Sequence, residues 1–246
     1  LFQQSYNDGA RIFSNSWGGA QDESGNFIYG QYTAESQDID EFSWMHKDAV
    51  ILFAAGNEGR DGNSDGVIDA DSLLVQATAK NCITVGASEN NRPTGSVPAP
   101  GYDIPYGTGS WLADYPVNPI RSDHVSDDPE GMAAFSSRGP TDDGRIKPDV
   151  VAPGTNILSV RSSVASEDGW GLLPVGDVRR DYYMFMGGTS MATPITAGTV
   201  ALIRQYLQNV YLISPSAALI KAMLIHGSVP MAGQYAPPEV GSVPNN

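Results

Sequence analysis

The sequence predicts an α/β fold, with a parallel sheet held between layers of helices. Three observations point there. Val50-Ile51-Leu52-Phe53 is an uninterrupted apolar run, the mark of a strand buried on both faces. Cys82-Ile83-Thr84-Val85-Gly86 and Asp149-Val150-Val151-Ala152 have the same character, the second bracketed by Pro148 and Pro153. Between these runs stand segments of helical periodicity, and strands alternating with helices build parallel sheets.

In chain order, residues 1–10 read as the tail of a helix that Asp8-Gly9 closes. Residues 11–16 form a short β-prone run, stopped by Gly18-Gly19. In residues 33–48, Ile39, Phe42 and Met45 recur every three positions, the stripe of an amphipathic helix. Residues 91–131 are rich in Pro, Gly and Asp and lack a sustained period, which predicts a surface insertion. Residues 189–208 carry Ile195, Thr199, Leu202 and Tyr206 at helical spacing, with Ile203 and Leu207 widening the stripe. Ser214-Pro215 then reads as a capping Ser with Pro in the first turn of a helix that stops near Gly227. No repeat or linker divides the chain, so residues 1–246 are expected to form one domain.

Composition narrows the function. The chain of 246 residues has a formal net charge of −14, which argues against nucleic acid and anionic membranes as partners. Charged residues are only 17%, against an average of about 25%, so the acidity is not that of a disordered tail. Apolar residues make up 41%, enough for a core, while 27 Gly and 17 Pro predict many turns and long loops. The longest apolar stretch, residues 49–56, is far short of the roughly 20 residues a membrane helix needs. Cys82 stands alone, which excludes an intrachain disulfide and leaves the compartment open. The chain begins at Leu1 without a Met, a basic segment or an apolar leader, and so reads as a piece of a longer one.

The strongest chemical signal is Gly187-Gly188-Thr189-Ser190-Met191-Ala192-Thr193-Pro194. A Ser at the mouth of a helix has free backbone N–H groups and the positive end of the dipole beside it. Most Gly-Thr-Ser triplets are simple caps, but capping does not require a run this long. This run resembles the nucleophile motif of the subtilases, the subtilisin-like serine peptidases, and three further segments match that family in the same order. Ser16-Trp17-Gly18 resembles the strand that pairs with substrate backbone. Ala54-Ala55-Gly56-Asn57-Glu58-Gly59 resembles the segment that bears the oxyanion Asn. Phe135-Ser136-Ser137-Arg138-Gly139-Pro140, with Lys147-Pro148-Asp149-Val150-Val151-Ala152-Pro153-Gly154, resembles the run before the nucleophile. Among subtilases, the chain is similar to the large alkaline enzymes of the KP-43 type.

The resemblance implies a subtilisin-like three-layer αβα fold and acyl-enzyme hydrolysis of a polypeptide substrate by a secreted parent. Ser190 would be the nucleophile, with Asn57 and the Ser190 N–H holding the oxyanion. Ser16, Trp17, Gly18, Gly19, Ala54, Ala55, Gly56 and Thr189 would bind substrate, the glycines admitting its backbone closely. Met191 would be an oxidation-sensitive neighbour of the nucleophile.

One departure matters. The family's Asp and His precede the substrate-pairing strand in the order Asp, His, Ser. His46, His124 and His226 do not stand in a His-Gly-Thr context, and each reads as structural: His46 on the outer face of its helix, His124 in the acidic insertion, His226 at a helix end. The N-terminal strands and the triad Asp and His are therefore expected to lie outside this chain. In subtilisin itself, losing the base costs about 2 × 10⁶ in kcat. The chain alone is then expected to be a poor peptidase. Two alternatives remain: a fragment with residual carboxylesterase activity on activated esters, or a non-catalytic piece that binds peptides or calcium. The missing neighbour strand would leave a sheet edge open to self-association or to an N-terminal complementing segment.

A second signal is Asp61-Gly62-Asn63-Ser64-Asp65-Gly66-Val67-Ile68-Asp69, with oxygen ligands at positions 1, 3 and 5, then a Gly and a carbonyl. That is the spacing of an EF-hand-like calcium loop. Position 12 is Ser72, so the bidentate Glu is missing and Asp71 is its candidate substitute. Asp61, Asn63, Asp65, Val67, Asp69 and Asp71 are the expected ligands within an insertion over residues 60–72, the bland reading being a solvated acidic turn. Asp123, Asp127, Asp128 and Glu130 read better as a solvated loop than as a second cation site.

Overall fold

A computed structural model describes residues 2–92 and 104–231. In chain order, α1 is Phe2–Asn7, β1 Ile12–Asn15, α2 Ala34–Met45, β2 Val50–Ala54, β3 Ile83–Ser88 and β4 Val150–Pro153. There follow β5 Ile157–Val160, β6 Gly171–Leu172, β7 Tyr183–Met186, α3 Thr189–Tyr211 and α4 Ala217–His226. The central sheet runs β1-β2-β3-β4, all parallel, with Phe13 opposite Ile51, Leu52 opposite Ile83 and Val85 opposite Val150.

Side chains that alternate along β1 and β2 feed two cores, which explains the unbroken apolar run. Ile12, Val50 and Leu52 join Ile83, Val85 and Val150 under Ala192, Val200 and Leu207 of α3 and Ile220 of α4. Phe13, Ile51 and Phe53 turn the other way, against Phe2 and Tyr6 of α1 and Ile39 and Phe42 of α2. The sheet is thus the middle of three layers, and every residue of β2 is buried. A small antiparallel sheet, in order β5-β7-β6, links β4 to α3 and closes over Leu173 and Phe185.

Several expectations need correction. Met45 is exposed, because α2 buries Ile39, Asp40 and Ser43 instead. On α3 the buried face is Ala192, Thr193, Thr196, Val200 and Leu207, while Ile195, Leu202 and Tyr206 face outward. Small side chains let this helix lie close across the sheet, so the bulkier stripe is not the one that packs inward. The cap of α4 is Ser216, whose hydroxyl accepts from Leu219 N at 3.2 Å, so Pro215 precedes the helix. Cys82 is buried but stands just before β3. His46 is only partly exposed: its ring lies tilted against Tyr6 and Phe42 at ring distances of 4.2 and 4.4 Å. The segment 104–131 is more than a surface insertion, since Tyr106, Tyr115, Ile120 and Val125 enter the main core. Residues 93–103 of the predicted insertion lie outside the described residues.

Candidate active site

Ser190 is the second residue of α3, where backbone N–H groups lack intrahelical acceptors. Gly188 precedes the helix at φ +138°, a backbone conformation that favours glycine. Its N–H donates to Gly154 O at 2.7 Å, which ties the turn to the end of β4. The Trp170 ring lies against Gly187 and leaves no room there for a Cβ.

Pro194 shapes the next contact. It has no N–H to offer the Ser190 carbonyl one turn back. The Ser16 hydroxyl takes that role and donates to Ser190 O at 2.9 Å, joining the segment after β1 to the Ser190 peptide group.

Asn57 follows β2 across a turn at Gly56. Its Oδ1 accepts from Thr189 N at 2.9 Å and from the Thr189 hydroxyl at 3.0 Å. Two donors on one atom identify that atom as the amide oxygen, so the NH₂ group is left for another acceptor. A Cβ on Gly188 would stand 3.4 Å from Asn57 Nδ2 and 3.6 Å from Ser190 N. The bare α-carbon therefore borders a space that both donors share. Thr189 is fully buried, so it orients Asn57 and does not itself meet a substrate.

The other expected binding residues divide by their backbone partners. Among the described residues, the N–H and C=O groups of Ser16, Trp17 and Gly18 have no backbone partner. They are the groups a peptide strand needs. Gly19, by contrast, is clamped: its N–H donates to Gln76 Oε1 and its C=O accepts from Val75 N, both at 2.9 Å. Ala54 and Ala55 are buried, and Ala55 donates to Val85 O and accepts from Leu74 N. These alanines build a wall and do not contribute side chains to a ligand. Trp17 is half exposed and stands edge-on to Phe53 at 5.2 Å. Leu74 lies against Gly18 and Gly56, and Gln76 against Gly18 and Gly19; neither has a periodic or motif signal in the sequence.

Ser190 Oγ has no hydrogen bond to a His or a carboxylate among the described residues. His46 packs between α1 and α2, His124 bridges Pro105 within the insertion, and His226 ends α4.

The acidic loop is compact. Asp61, only 1% exposed, accepts from Asp65 N and Gly66 N at 2.9 and 3.0 Å. Asn63 Oδ1 accepts from Asp65 N, Asp65 Oδ1 from Val67 N, and Asp69 Oδ2 from Gly62 N. Asp71 does not complete this ring. Its carboxyl stands with that of Asp142 against Gly30, and burial and the Asp142 charge raise its pKa. Among the described residues, no three His, Cys, Asp or Glu side chains converge as a metal-holding group.

A model of the subtilase family matches residues 2–241. The serine protease/ABC transporter B family protein tagD of Dictyostelium discoideum is 31% identical over 297 residues, covering 100% of this chain and 15% of its own length. The serine protease AprX of Bacillus subtilis is 34% identical over 156 residues, covering 63% of this chain and 26% of its own. The chain thus spans a minor part of these relatives. Among solved structures, the patellamide maturation protease PatA superposes with a TM-score of 0.56 at 20% identity, over 97% of this chain and 59% of that one. The prenylagaramide maturation protease PagA gives 0.52 at 21%, over 93% and 55%. At such identities these superpositions speak for the fold alone.

Proposed function

The chain belongs to the subtilase family, and from that premise we propose that its site hydrolyses peptide bonds through an acyl-enzyme on Ser190. One observation carries the reading: the Asn57 amide, fixed by its oxygen, and the Ser190 N–H border one open space beside the nucleophile. Ser190 Oγ attacks the substrate carbonyl, and the developing oxyanion accepts from these two donors. The substrate backbone pairs along Ser16, Trp17 and Gly18, whose own backbone groups are open. A general base comes from a His–Asp pair that these residues do not include, which supports weak turnover of activated esters by the chain alone. Such esters have leaving groups that need little acid assistance. The parent acts on polypeptides as a secreted enzyme.

Treating the 246-residue chain with a fluorophosphonate probe tests the reading. Labelling that maps to Ser190 and disappears in Ser190→Ala is expected, with p-nitrophenyl ester turnover exceeding casein hydrolysis. Failure to label even when the segment carrying the His–Asp pair is supplied excludes Ser190 as the nucleophile.

Calcium is a second, structural proposal. Asp61, Asn63, Asp65, the Val67 carbonyl and Asp69 supply only oxygen donors, the hard ligands that calcium takes. Asp71 drops out because it faces Asp142. Bound calcium would offset the carboxylate repulsion of this loop. The expected result is a lower melting temperature after EDTA, restored by excess calcium; an unchanged melting temperature excludes it.

A further inference from the structure

We propose that Trp170 is a positioning residue for the nucleophile, fixing the turn that carries Ser190 through an indole that the segment 104–131 locks in place. Trp170 enters the peptide-hydrolase reading of the site, on which this rests, as a group that acts through Gly187 and touches no substrate. The turn before α3 is made of Gly187 and Gly188, so it has no side chain of its own to anchor it. Gly188 N donates to Gly154 O at 2.7 Å, and the N–H and hydroxyl of Thr189 donate to Asn57 Oδ1. Among the described residues, no backbone hydrogen bond reaches Gly187 itself. What meets Gly187 is the Trp170 indole. A Cβ there would run into the ring carbons Cη2, Cζ2 and Cζ3, so the six-membered part of the indole rests on the bare α-carbon.

The indole is itself held from behind. Trp170 N donates to Phe185 O at 2.7 Å, which sets its backbone beside β7. Trp111 and Phe135 stand edge-on to the ring, at 5.8 and 6.1 Å. Trp111 in turn stacks on the fully buried Tyr106 at 5.9 Å, and Tyr106 meets Tyr115 at 5.3 Å. Tyr115 OH then donates to Gly59 O at 3.0 Å, two residues past Asn57. A continuous set of rings therefore ties the segment 104–131 to both parts of the site, to Gly187 before the nucleophile and to Gly59 after the oxyanion Asn. Aromatic side chains have few rotatable bonds, and close packing passes a displacement of one ring on to the next. Held this way, the turn keeps the Ser190 hydroxyl and N–H where attack and oxyanion capture meet at one carbonyl.

Two readouts on the 246-residue chain, both taken well below its melting temperature, test this. The rate of fluorophosphonate labelling reports the placement of Ser190, and hydrogen exchange of the Gly188 amide, followed by NMR, reports the turn without chemistry. Trp170→Ala is expected to slow labelling by about 10- to 100-fold, since misplacing a reacting group by about 1 Å costs on the order of 10². The Gly188 amide should exchange about tenfold faster. Gly187→Ala drives the turn and the ring apart and is expected to slow labelling to a similar degree. In the double variant the new methyl enters the space that the indole left, so the two losses do not multiply. Trp111→Ala keeps the Gly187 contact but removes the ring behind it. It gives a smaller loss in the same direction and takes the place of Trp170→Ala if that variant does not fold. Unchanged labelling and exchange in Trp170→Ala overturn the proposal, as do losses that multiply in the double variant, the mark of two independent structural defects. Wild-type chain that fails to label even with the His–Asp segment supplied, but whose Gly188 amide loosens in Trp170→Ala, keeps the anchor and loses the hydrolase. Chain that labels at the same rate with and without the indole does the reverse.

Discussion

Asn57 is held by its oxygen and, in the proposed reaction, acts through its nitrogen. Asn57→Ala is therefore expected to lower kcat on an activated ester by about 10²–10³ with little change in KM. That magnitude comes from removing the same kind of donor in subtilisin, a member of this family. Steady-state kinetics on a p-nitrophenyl ester read it, and an unchanged kcat removes Asn57 from the oxyanion site. Ser190 and Asn57 are legible in the sequence because chemistry fixes residue type and spacing together. Leu74 is not, since it is one apolar residue of Leu73-Leu74-Val75 and its partners Gly18 and Gly56 are distant in sequence. Glu89 is hidden for a similar reason. It directly follows β3, yet segment 104–131 folds over it and leaves it 1% exposed. Burial, then the nearby Asp123 and Asp127 charges, push its carboxyl up to about 9, although Tyr106 OH donates to it at 2.8 Å. The folded chain thus keeps a proton that the unfolded chain releases above about 4.5. Stability is full below that pH and falls by about 1.4 kcal/mol per unit until the folded group ionises near 9. Urea titrations between pH 5 and 9 are expected to show this slope, and Glu89→Gln to flatten it; equal slopes exclude a buried neutral Glu89.

Among the elements, β2 is the most legible, because burial on both faces erases alternation and leaves four apolar residues in a row. The orientation of α3 is not legible, because period alone cannot say which of two stripes faces the sheet. Close approach selects the small one. The attachment of α4 to the sheet is also invisible in the sequence, since it depends on polar groups far apart. Asp149, just before β4, accepts from Lys147 Nζ at 2.7 Å and pairs with Lys221 of α4 at 2.9 Å. Both lysines also donate to Cys82 O, and Lys147 to the Thr84 hydroxyl. Burial alone would raise the Asp149 pKa, but the two lysines outweigh it and hold it below its ordinary value. A depressed carboxyl contributes stability above the unfolded value of 3.8, and that contribution is lost as pH falls through the folded one. Asp149→Asn leaves two lysines facing each other with little solvent and is expected to cost about 3 kcal/mol at pH 7. The deficit should shrink below pH 3.8, where the unfolded wild-type chain takes up a proton that the folded carboxyl still refuses, and close once the folded carboxyl protonates as well. Chemical denaturation at both pH values reads it, and a loss below 1 kcal/mol at pH 7 would show that α4 is held by its apolar face alone.

For the molecule as a whole, two apolar and hydrogen-bonding surfaces lie open together. β1 is the terminal strand of the described sheet. Val50 N donates to Arg11 O, and a parallel ladder then turns the N–H groups of Phe13 and Asn15 toward β2 and those of Ile12 and Ser14 outward. Beyond this edge, α3 shows Leu202 at 67% exposure and Tyr206 at 49%. An edge with free donors is a template for a further strand, and exposed apolar side chains add a non-directional attraction. Opposing both is the net charge of −14, which repels a second copy of the chain until salt screens it. Self-association is therefore expected to be weak in 20 mM salt and stronger in 0.5 M, with the weight-average mass from sedimentation rising as protein concentration rises. Two variants separate the surfaces. Ser14→Pro removes an outward N–H while leaving the bonds to β2, so it weakens pairing through the edge. Leu202→Lys places a charge on the α3 face and weakens packing there. A complementing N-terminal segment would occupy the same edge, so adding it should lower the associated fraction in competition with a second copy. A constant monomer mass across concentration in 0.5 M salt would instead mean that the open edge and the exposed face of α3 do not drive pairing.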